Sequence, residues 1–327
     1  MGRVVALNLA KFVLLMIAVS IVVFVLVGSS PIDPVQANLG QQAFMSMSEE
    51  QRAQLADYWG ADLSIGERYL NWLASAIHGD WGTSLRFDAP VTEVVATRAA
   101  NSLALMACAW TASGAIGFAL GLATAMRRDG LLDRFVKGYC YLLAATPTFW
   151  VGLLMLVLFS VVLGWFPVGL SVPVGVPADE VTVLQSLHHM ILPGLTLSLT
   201  GVANIALHTR EKAIDVIESD CIRFARVRGM SLWQAMRRHG LRNLLLPAMT
   251  LQFASVSEIF GGSVLVEQVF SYPGLGRAAV TAGLGGDAAL LVAIALVSAA
   301  IVFLGNLTAN LLYGVVDPRI RKGLAYA

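Results

Sequence analysis

Six stretches of the chain are apolar enough to cross a bilayer, and the polar intervals between them set its organisation. A helical crossing takes about 20 mostly apolar residues, because the hydrocarbon layer is roughly 30 Å thick and each residue rises about 1.5 Å. Residues 12–28 are uncharged, with Lys11 placed to snorkel at one end. Residues 99–126 and 138–178 also carry no charge. The latter stretch exceeds one span, and Pro167, Pro173 and Pro177 predict a helix ending near Phe166 with a loop after it. Residues 190–209 predict a fourth span, 244–269 a fifth that contains Glu258 and Glu267, and 288–316 a sixth. The pattern predicts an all-α membrane protein with six transmembrane helices.

Between the first and second spans lies a segment of residues 29–98 with nine acidic residues against four arginines. Its spacing predicts short amphipathic helices. Ser48 and Gln51 form a capping box, with Leu55 and Tyr58 following on one face. Ile65, Tyr69, Trp72, Leu73 and Ala76 mark a second helix, which Gly79-Asp80 ends. Two readings stand side by side: a cap packed on the membrane surface, and a docking face for an external partner. Val35-Gln36-Ala37 has the look of a signal-peptidase site, but an apolar core spanning residues 12–28 is longer than the roughly 7–15 residues of a signal peptide, so the first span reads as retained.

Composition agrees with this class. Of 327 residues, 57% are hydrophobic and 13% charged, against about 25% charged in ordinary soluble domains, which excludes a soluble enzyme, a disordered chain and a nucleic-acid binder. The net charge of +1 hides an uneven placement. With the N-terminus inside, 17 basic residues fall on cytosolic segments, while only Arg52, Arg68, Arg86, Arg98 and Arg277 fall outside. Basic loops stay in the cytoplasm, so both termini are expected to be cytosolic. Residues 1–28 then form the first helix with its cytosolic start, 29–98 an external cap, 99–316 a five-helix core, and 317–327 a cytosolic tail. Cys108, Cys140 and Cys221 lie too far apart for a disulfide framework or a zinc site, and Cys108 and Cys140 read as small apolar fillers.

The fourth-to-fifth loop, residues 210–246, is the most informative interval. Basic residues alternate with apolar ones, and Ile222, Phe224, Ala225, Val227, Met230, Leu232, Trp233 and Met236 predict an apolar face that lipid does not cover if the loop projects. Gly229 suits a sharp turn between two short helices, and Pro247 marks entry into the fifth span. An interfacial helix held by anionic headgroups is the alternative on pattern alone.

The order Arg223-x-Ala225-Arg226-x-x-Gly229, then Arg238-His239, Arg242-Asn243 and Pro247, resembles the EAA loop of ABC-importer permeases, specifically the B-type subunit of the dipeptide/oligopeptide/nickel family. Tyr69-x-x-Trp72-Leu73 followed by Gly79-Asp80-Trp81-Gly82-Thr83-Ser84 is similar to that subunit's first external loop. Pro147-Thr148-Phe149-Trp150, Leu192-Pro193, the run from Gly261-Gly262 through Glu267, Pro273, Gly274, Gly276 and Arg277, and Asp317-Pro318-Arg319 extend the resemblance over nearly the whole chain. Ala99 and Asn101 depart from it, standing where the family usually has Pro and Thr. The resemblance implies a bacterial inner-membrane transport subunit importing di- or oligopeptides, with nickel or a metal chelate as the alternative cargo. It implies as partners a homologous second permease, two ATP-binding subunits and an extracytoplasmic solute-binding protein. It also implies that Arg223, Phe224, Ala225, Arg226, Gly229 and Met230 form a coupling helix docking on the ATPase.

No Walker A sequence exists, since none of Lys11, Lys137, Lys212 and Lys322 follows a glycine. The chain is therefore not expected to be an enzyme or to bind a cofactor; ATP and Mg²⁺ belong to partner ATPase subunits. A stand-alone secondary transporter or channel is the alternative from another class. Glu258 lies eleven residues past Pro247, roughly 16 Å into the bilayer, with Ser255 and Gly262 on its face. An intramembrane carboxyl is a functional candidate by default. It either faces a translocation pathway or serves as a structural acid bonded to a neighbouring helix. Glu267, roughly 30 Å along, is expected at the external boundary, bracing a gate-like turn that includes Pro273, Gly274 and Gly276. His188-His189 precede the fourth span as a loop pair with no expected metal, and Gly117 and Gly121 form a helix-packing GxxxG pair.

Overall fold

A computed structural model describes residues 2–30, 37, 45–51, 63–177 and 180–316. Leu55, Tyr58, Val35, Gln36 and the Asp317-Pro318-Arg319 tail lie outside the described residues. The structure is helical: α1 (Gly2–Gly28), α2 (Ile65–Ile77), α3 (Val91–Met126), α4 (Leu131–Ala144), α5 (Thr148–Met155, continued by a π-helical Leu156–Val162), α6 (Val183–Ile217), α7 (Asp220–Val227), α8 (Leu232–Ala235, continued by a π-helical Met236–Gly240), α9 (Leu241–Ala254), α10 (Val256–Val269), α11 (Leu275–Leu284) and α12 (Ala288–Val316). A short antiparallel pair, β1 (Thr83–Ser84) with β2 (Ala89–Pro90), is an addition the helical pattern does not predict.

Four helices hold stretches long and apolar enough to cross a membrane: Leu7–Gly28, Val91–Met126, Val183–Ile217 and Ala288–Leu311. Two bent pairs bring the number to six if each is one crossing. The third span is therefore not the single straight helix expected from residue 138 to Phe166. It begins at Leu131, takes in Asp133, Arg134 and Lys137, and bends by 107° between Ala144 and Thr148. Pro147 is the cause: it has no N–H to continue the helix and disfavours helical geometry in the residue before it. The fifth span bends by 46° at Ser255. There the Gln252 carbonyl, the ladder acceptor for residue 256, instead accepts from Ser255 Oγ at 2.8 Å and from Trp110 Nε1 at 2.7 Å. Side chains inserted into a helix ladder produce such kinks.

The chain divides into two compact units, residues 1–102 with 273–303 and residues 103–272 with 304–327. In the first unit, α2 packs on α1 through aromatic contacts. Phe24 is buried, its ring 5.4 Å from that of Tyr69 and 6.2 Å from that of Trp72, and Ser20 Oγ lies 2.9 Å from Tyr69 Oη. Ser64 and Glu67 make a capping box at the start of α2, and the Ser64 hydroxyl and backbone N–H hold the Glu67 carboxyl below its ordinary range. The Gly79–Ser84 segment is fixed by Asp287, which is fully buried. Its Oδ2 accepts from Ser84 Oγ at 2.7 Å and from the Arg86 N–H at 3.3 Å, while Oδ1 caps α12 by accepting from the Leu290 N–H at 3.1 Å.

In the second unit, α3 lies against α6 along its glycines. A Cβ at Gly121 would stand 2.6 Å from the Ala206 carbonyl oxygen and 3.0 Å from the Arg210 nitrogen, and one at Gly117 2.8 Å from Ile205 Cβ. Absent side chains let the two backbones approach, as the GxxxG reading expects. Gly121→Ala is accordingly expected to lower the thermal midpoint of the purified protein in detergent, with a loss of about 1–3 kcal/mol typical of overpacking. Gly138→Ala, with nothing within 4 Å of the added carbon, is expected not to lower it. Equal midpoints for the two variants would remove this contact as a determinant of stability.

Candidate functional site

Three groups of predicted residues can be placed. The basic hairpin is the first. Here α6 continues to Ile217, so Arg210 and Lys212, expected in a loop, lie on a continuous helix. The chain then forms α7, turns at Gly229 and enters α8. Gly229 has φ +88°, a conformation in which a side chain is strained, and the turn is closed by the Met230 N–H donating to the Ala225 carbonyl at 3.2 Å. Ser231 and Gln234 form a capping box that starts α8.

The expected single apolar face of this hairpin divides in two. Ile222, Ala225 and Met236 are buried with Leu122, Ala125, Ala213 and Leu244 in a core of the chain itself. Phe224, Val227 and Trp233 are exposed, beside the exposed Arg223, Arg226 and Arg228. The reason is helical geometry: Ile222 and Ala225 are three apart and share a face, while Phe224 and Val227 occupy the opposite one. Ala225 is thus small to fit its own chain, and it is not available to touch a partner. Met230 is half-buried at the turn.

The second group lies where α9 meets α10. Ser255, Glu258 and Gly262 come together in one open concavity, completed by Thr148, Leu197, Thr200, Gly201, Asn204 and Ile259. Glu258 is exposed in this chain, and its two carboxylate oxygens accept from Asn204 Nδ2 at 3.3 and 3.1 Å. Both earlier readings of Glu258 thus have a counterpart: it is bonded to a neighbouring helix, and it faces an open cavity.

Comparison with known proteins decides the class. The model of the family described as "binding-protein-dependent transport system inner membrane component" matches residues 117–322. The chain belongs to that family. The permease is 34% identical over 309 residues to the oligopeptide transport system permease protein AppB of Bacillus subtilis, covering 94% of this chain and 95% of that one. It is 30% identical over 323 residues to the dipeptide transport system permease protein DppB of Escherichia coli K12, covering 93% and 94% of the two chains. The permease is a multi-pass membrane protein, and its family works in ABC importers with ATP-hydrolysing and solute-binding partners.

Of the residues expected to form an external turn, Glu267 belongs to the second unit and Pro273, Gly274 and Gly276 to the first. Glu267 is fully buried, and its carbonyl accepts from the Tyr272 N–H at 2.9 Å, next to Ser271 at φ +49°. Separately, the Pro273 carbonyl accepts from Asn101 Nδ2 at 2.9 Å and the Leu275 N–H donates to Ser102 Oγ at 2.8 Å, with Gly274 and Gly276 buried alongside. Asn101, a departure from the family pattern, therefore has a definite task in this permease.

His188 and His189 lie on α6 rather than in a loop. Their ring nitrogens approach the carbonyls of Trp165 at 3.2 Å and Gly169 at 2.9 Å. Among the described residues no three His, Cys, Asp or Glu side chains converge as metal ligands. Cys140 is buried as a filler, whereas Cys108 is exposed.

Sequence reading missed Asp133, Asn204 and Gln252. Asp133 is fully buried and takes a bidentate pair of bonds from Arg210, Nε at 2.6 Å and Nη2 at 2.7 Å, with Lys137 Nζ at 3.3 Å. The signal for Gln252 and Asn204 was their polarity inside apolar stretches. Gln252 Nε2 and the Trp110 carbonyl are bonded at 2.5 Å, reciprocating the indole bond already described.

Proposed function

We propose that this permease forms one half of the transmembrane pathway of an ATP-driven, binding-protein-dependent importer of di- or oligopeptides, in the bacterial inner membrane with both termini cytosolic. The observation that carries the reading is the extent of similarity to relatives named as oligopeptide and dipeptide permeases, which covers nearly all of each chain. A homologous second permease supplies the other half of the pathway. Two ATP-binding subunits carry the nucleotide and Mg²⁺, and an extracytoplasmic binding protein delivers the peptide.

The geometry supports a division of labour. The exposed Arg223, Phe224, Arg226, Val227 and Trp233 form the surface offered to an ATP-binding subunit, and the buried side of the same hairpin ties it to α3, α6 and α9. Movement imposed at Phe224 and Val227 is thereby passed through Ile222, Ala225 and Met236 to α6, which carries Asn204, and to α9, which leads into α10 and Glu258. The Glu258 concavity lines the pathway, and the turn at Pro273, Gly274 and Gly276 forms part of its external end. Alternating access follows: closure of the ATP-binding subunits opens the pathway outward, and hydrolysis returns it inward.

Proteoliposomes holding the complete complex test this. Labelled dialanine is expected to accumulate only when ATP, the ATP-binding subunits and the binding protein are all present. Accumulation by this chain without any ATP-binding subunit would overturn the reading in favour of a stand-alone carrier.

A further inference from the structure

The polar groups lining the Glu258 concavity surround a single negative charge. Ser255 Oγ donates to the Gln252 carbonyl at 2.8 Å and Thr200 Oγ1 to the Leu197 carbonyl at 3.0 Å, so each hydroxyl has its proton turned into its own helix and keeps lone pairs for the cavity. The amide nitrogen of Asn204 donates to the carboxylate, and its Oδ1 remains as an acceptor. Among the described residues the lining offers a ligand a carboxylate, an amide oxygen and the acceptor lone pairs of Ser255 and Thr200, beside the hydroxyl of Thr148. The one formal charge among these groups is negative, which favours a cation over an anion.

Shape narrows the ligand further. Gly262 stands in the lining, and a Cβ there would lie 3.0 Å from Cδ1 of Leu197, itself a lining residue. The opening thus suits a compact head group. Among the described residues, Glu258 is the one charged residue of the lining, with no histidine, cysteine or second carboxyl beside it. A transition metal prefers imidazole or thiolate ligands and a divalent ion several oxygens of higher charge, so the set is poor for either. A primary ammonium has three donors and one positive charge, and matches a carboxylate flanked by neutral acceptors.

We propose that Glu258, with Asn204 orienting its carboxylate and Ser255 and Thr200 as flanking acceptors, forms a subsite for a primary ammonium group, the free amino terminus of a peptide in transit. This rests on the peptide reading given above and adds which end of the cargo the permease holds. Asn204 acts as a positioning residue: its amide holds both carboxylate oxygens and so fixes where the charge is presented.

The test is direct binding to the purified complex of both permeases and both ATP-binding subunits, without binding protein, followed by saturation-transfer NMR with dialanine and with N-acetyl-dialanine. The wild-type complex is expected to bind dialanine at least tenfold more tightly than its acetylated form. Glu258→Gln is expected to lose that preference, and Glu258→Asp to keep part of it. Equal binding of the two ligands by the wild-type complex overturns the proposal even if no variant assembles, and so does an undiminished preference in Glu258→Gln. Dialanine uptake by the same wild-type complex supplied with its binding protein separates the two levels. Uptake combined with equal ligand binding removes the ammonium subsite alone, whereas uptake of neither dialanine nor a longer peptide such as pentaalanine removes the peptide reading and the subsite with it.

Discussion

Asp133→Asn is expected to lower the thermal midpoint of the purified permease more than Gly121→Ala does, and to reduce the amount found in the membrane. Asp133 is fully buried, receives two bonds from the Arg210 guanidinium, a third contact from Lys137, and the backbone N–H of Asp129 at 3.0 Å. An asparagine has nearly the same volume, so packing is preserved and the change isolates charge. It leaves Arg210, only 15% exposed, beside Lys137 with no carboxylate between them. Removing one partner of a buried pair costs about 3–5 kcal/mol, because the remaining charge stays desolvated and unpaired. Arg210→Gln leaves the carboxylate with Lys137 and the Asp129 N–H and is expected to lose somewhat less. The double variant Asp133→Asn with Arg210→Gln removes the stranded charges, so its loss is expected to be well below the sum of the two single losses. Additive losses would show that the pair contributes only volume. Raising the salt concentration is expected to change little, since buried pairs are weakly screened.

The same pair shows what the sequence could and could not disclose. Asp133, Arg134 and Lys137 read as loop charges because a run of charges ends an apolar stretch, and the apolar run was the signal followed. Asp133 is paired by a contact 77 residues away, with Arg210, which no local period encodes. The membrane class, the apolar runs behind the crossings, the positive φ of Gly229 and the close approach at Gly117 and Gly121 were legible because each depends on local composition or on the smallness of one residue. Ser255, Glu258 and Gly262 line one concavity, as helical spacing alone allows by putting i−3 and i+4 on one face. Asn204 was missed because it reaches the same cavity from another helix. The hairpin was read as one apolar face because all of its apolar residues were counted together; which of them point inward depends on Leu122, Ala213 and Leu244, supplied by three other helices. The bend at Ser255 was hidden for a like reason, since the Trp110 indole that occupies the Gln252 carbonyl comes from α3.

Gly229→Asp is expected to reduce ATP-driven uptake at least tenfold while the complex still assembles. Nothing lies within 4 Å of a Cβ added at Gly229, so the substitution meets no steric obstacle, and its effect must come from backbone and charge. At φ +88° an L-residue is strained by roughly 1–2 kcal/mol, and relief of that strain turns the chain out of the bend. The bond from the Met230 N–H to the Ala225 carbonyl is the first casualty, and with it the orientation of Phe224, Val227 and Trp233 relative to the buried side of the hairpin. The new carboxylate also sits among Arg223, Arg226 and Arg228, all exposed, and draws them from the surface proposed to meet an ATP-binding subunit. Three variants separate these causes. Asparagine tolerates positive φ better than valine does, so Gly229→Asn is expected to lose least and the gap to Gly229→Val measures the backbone effect. The gap between Gly229→Asn and Gly229→Asp measures charge. Uptake and ATP hydrolysis recorded on the same proteoliposomes provide the check. In Gly229→Asp, hydrolysis is expected to lose its response to loaded binding protein, because the turn that carries the signal inward no longer holds its shape. Wild-type uptake per ATP hydrolysed in Gly229→Asp and Gly229→Val would mean that force enters the permease somewhere other than this hairpin.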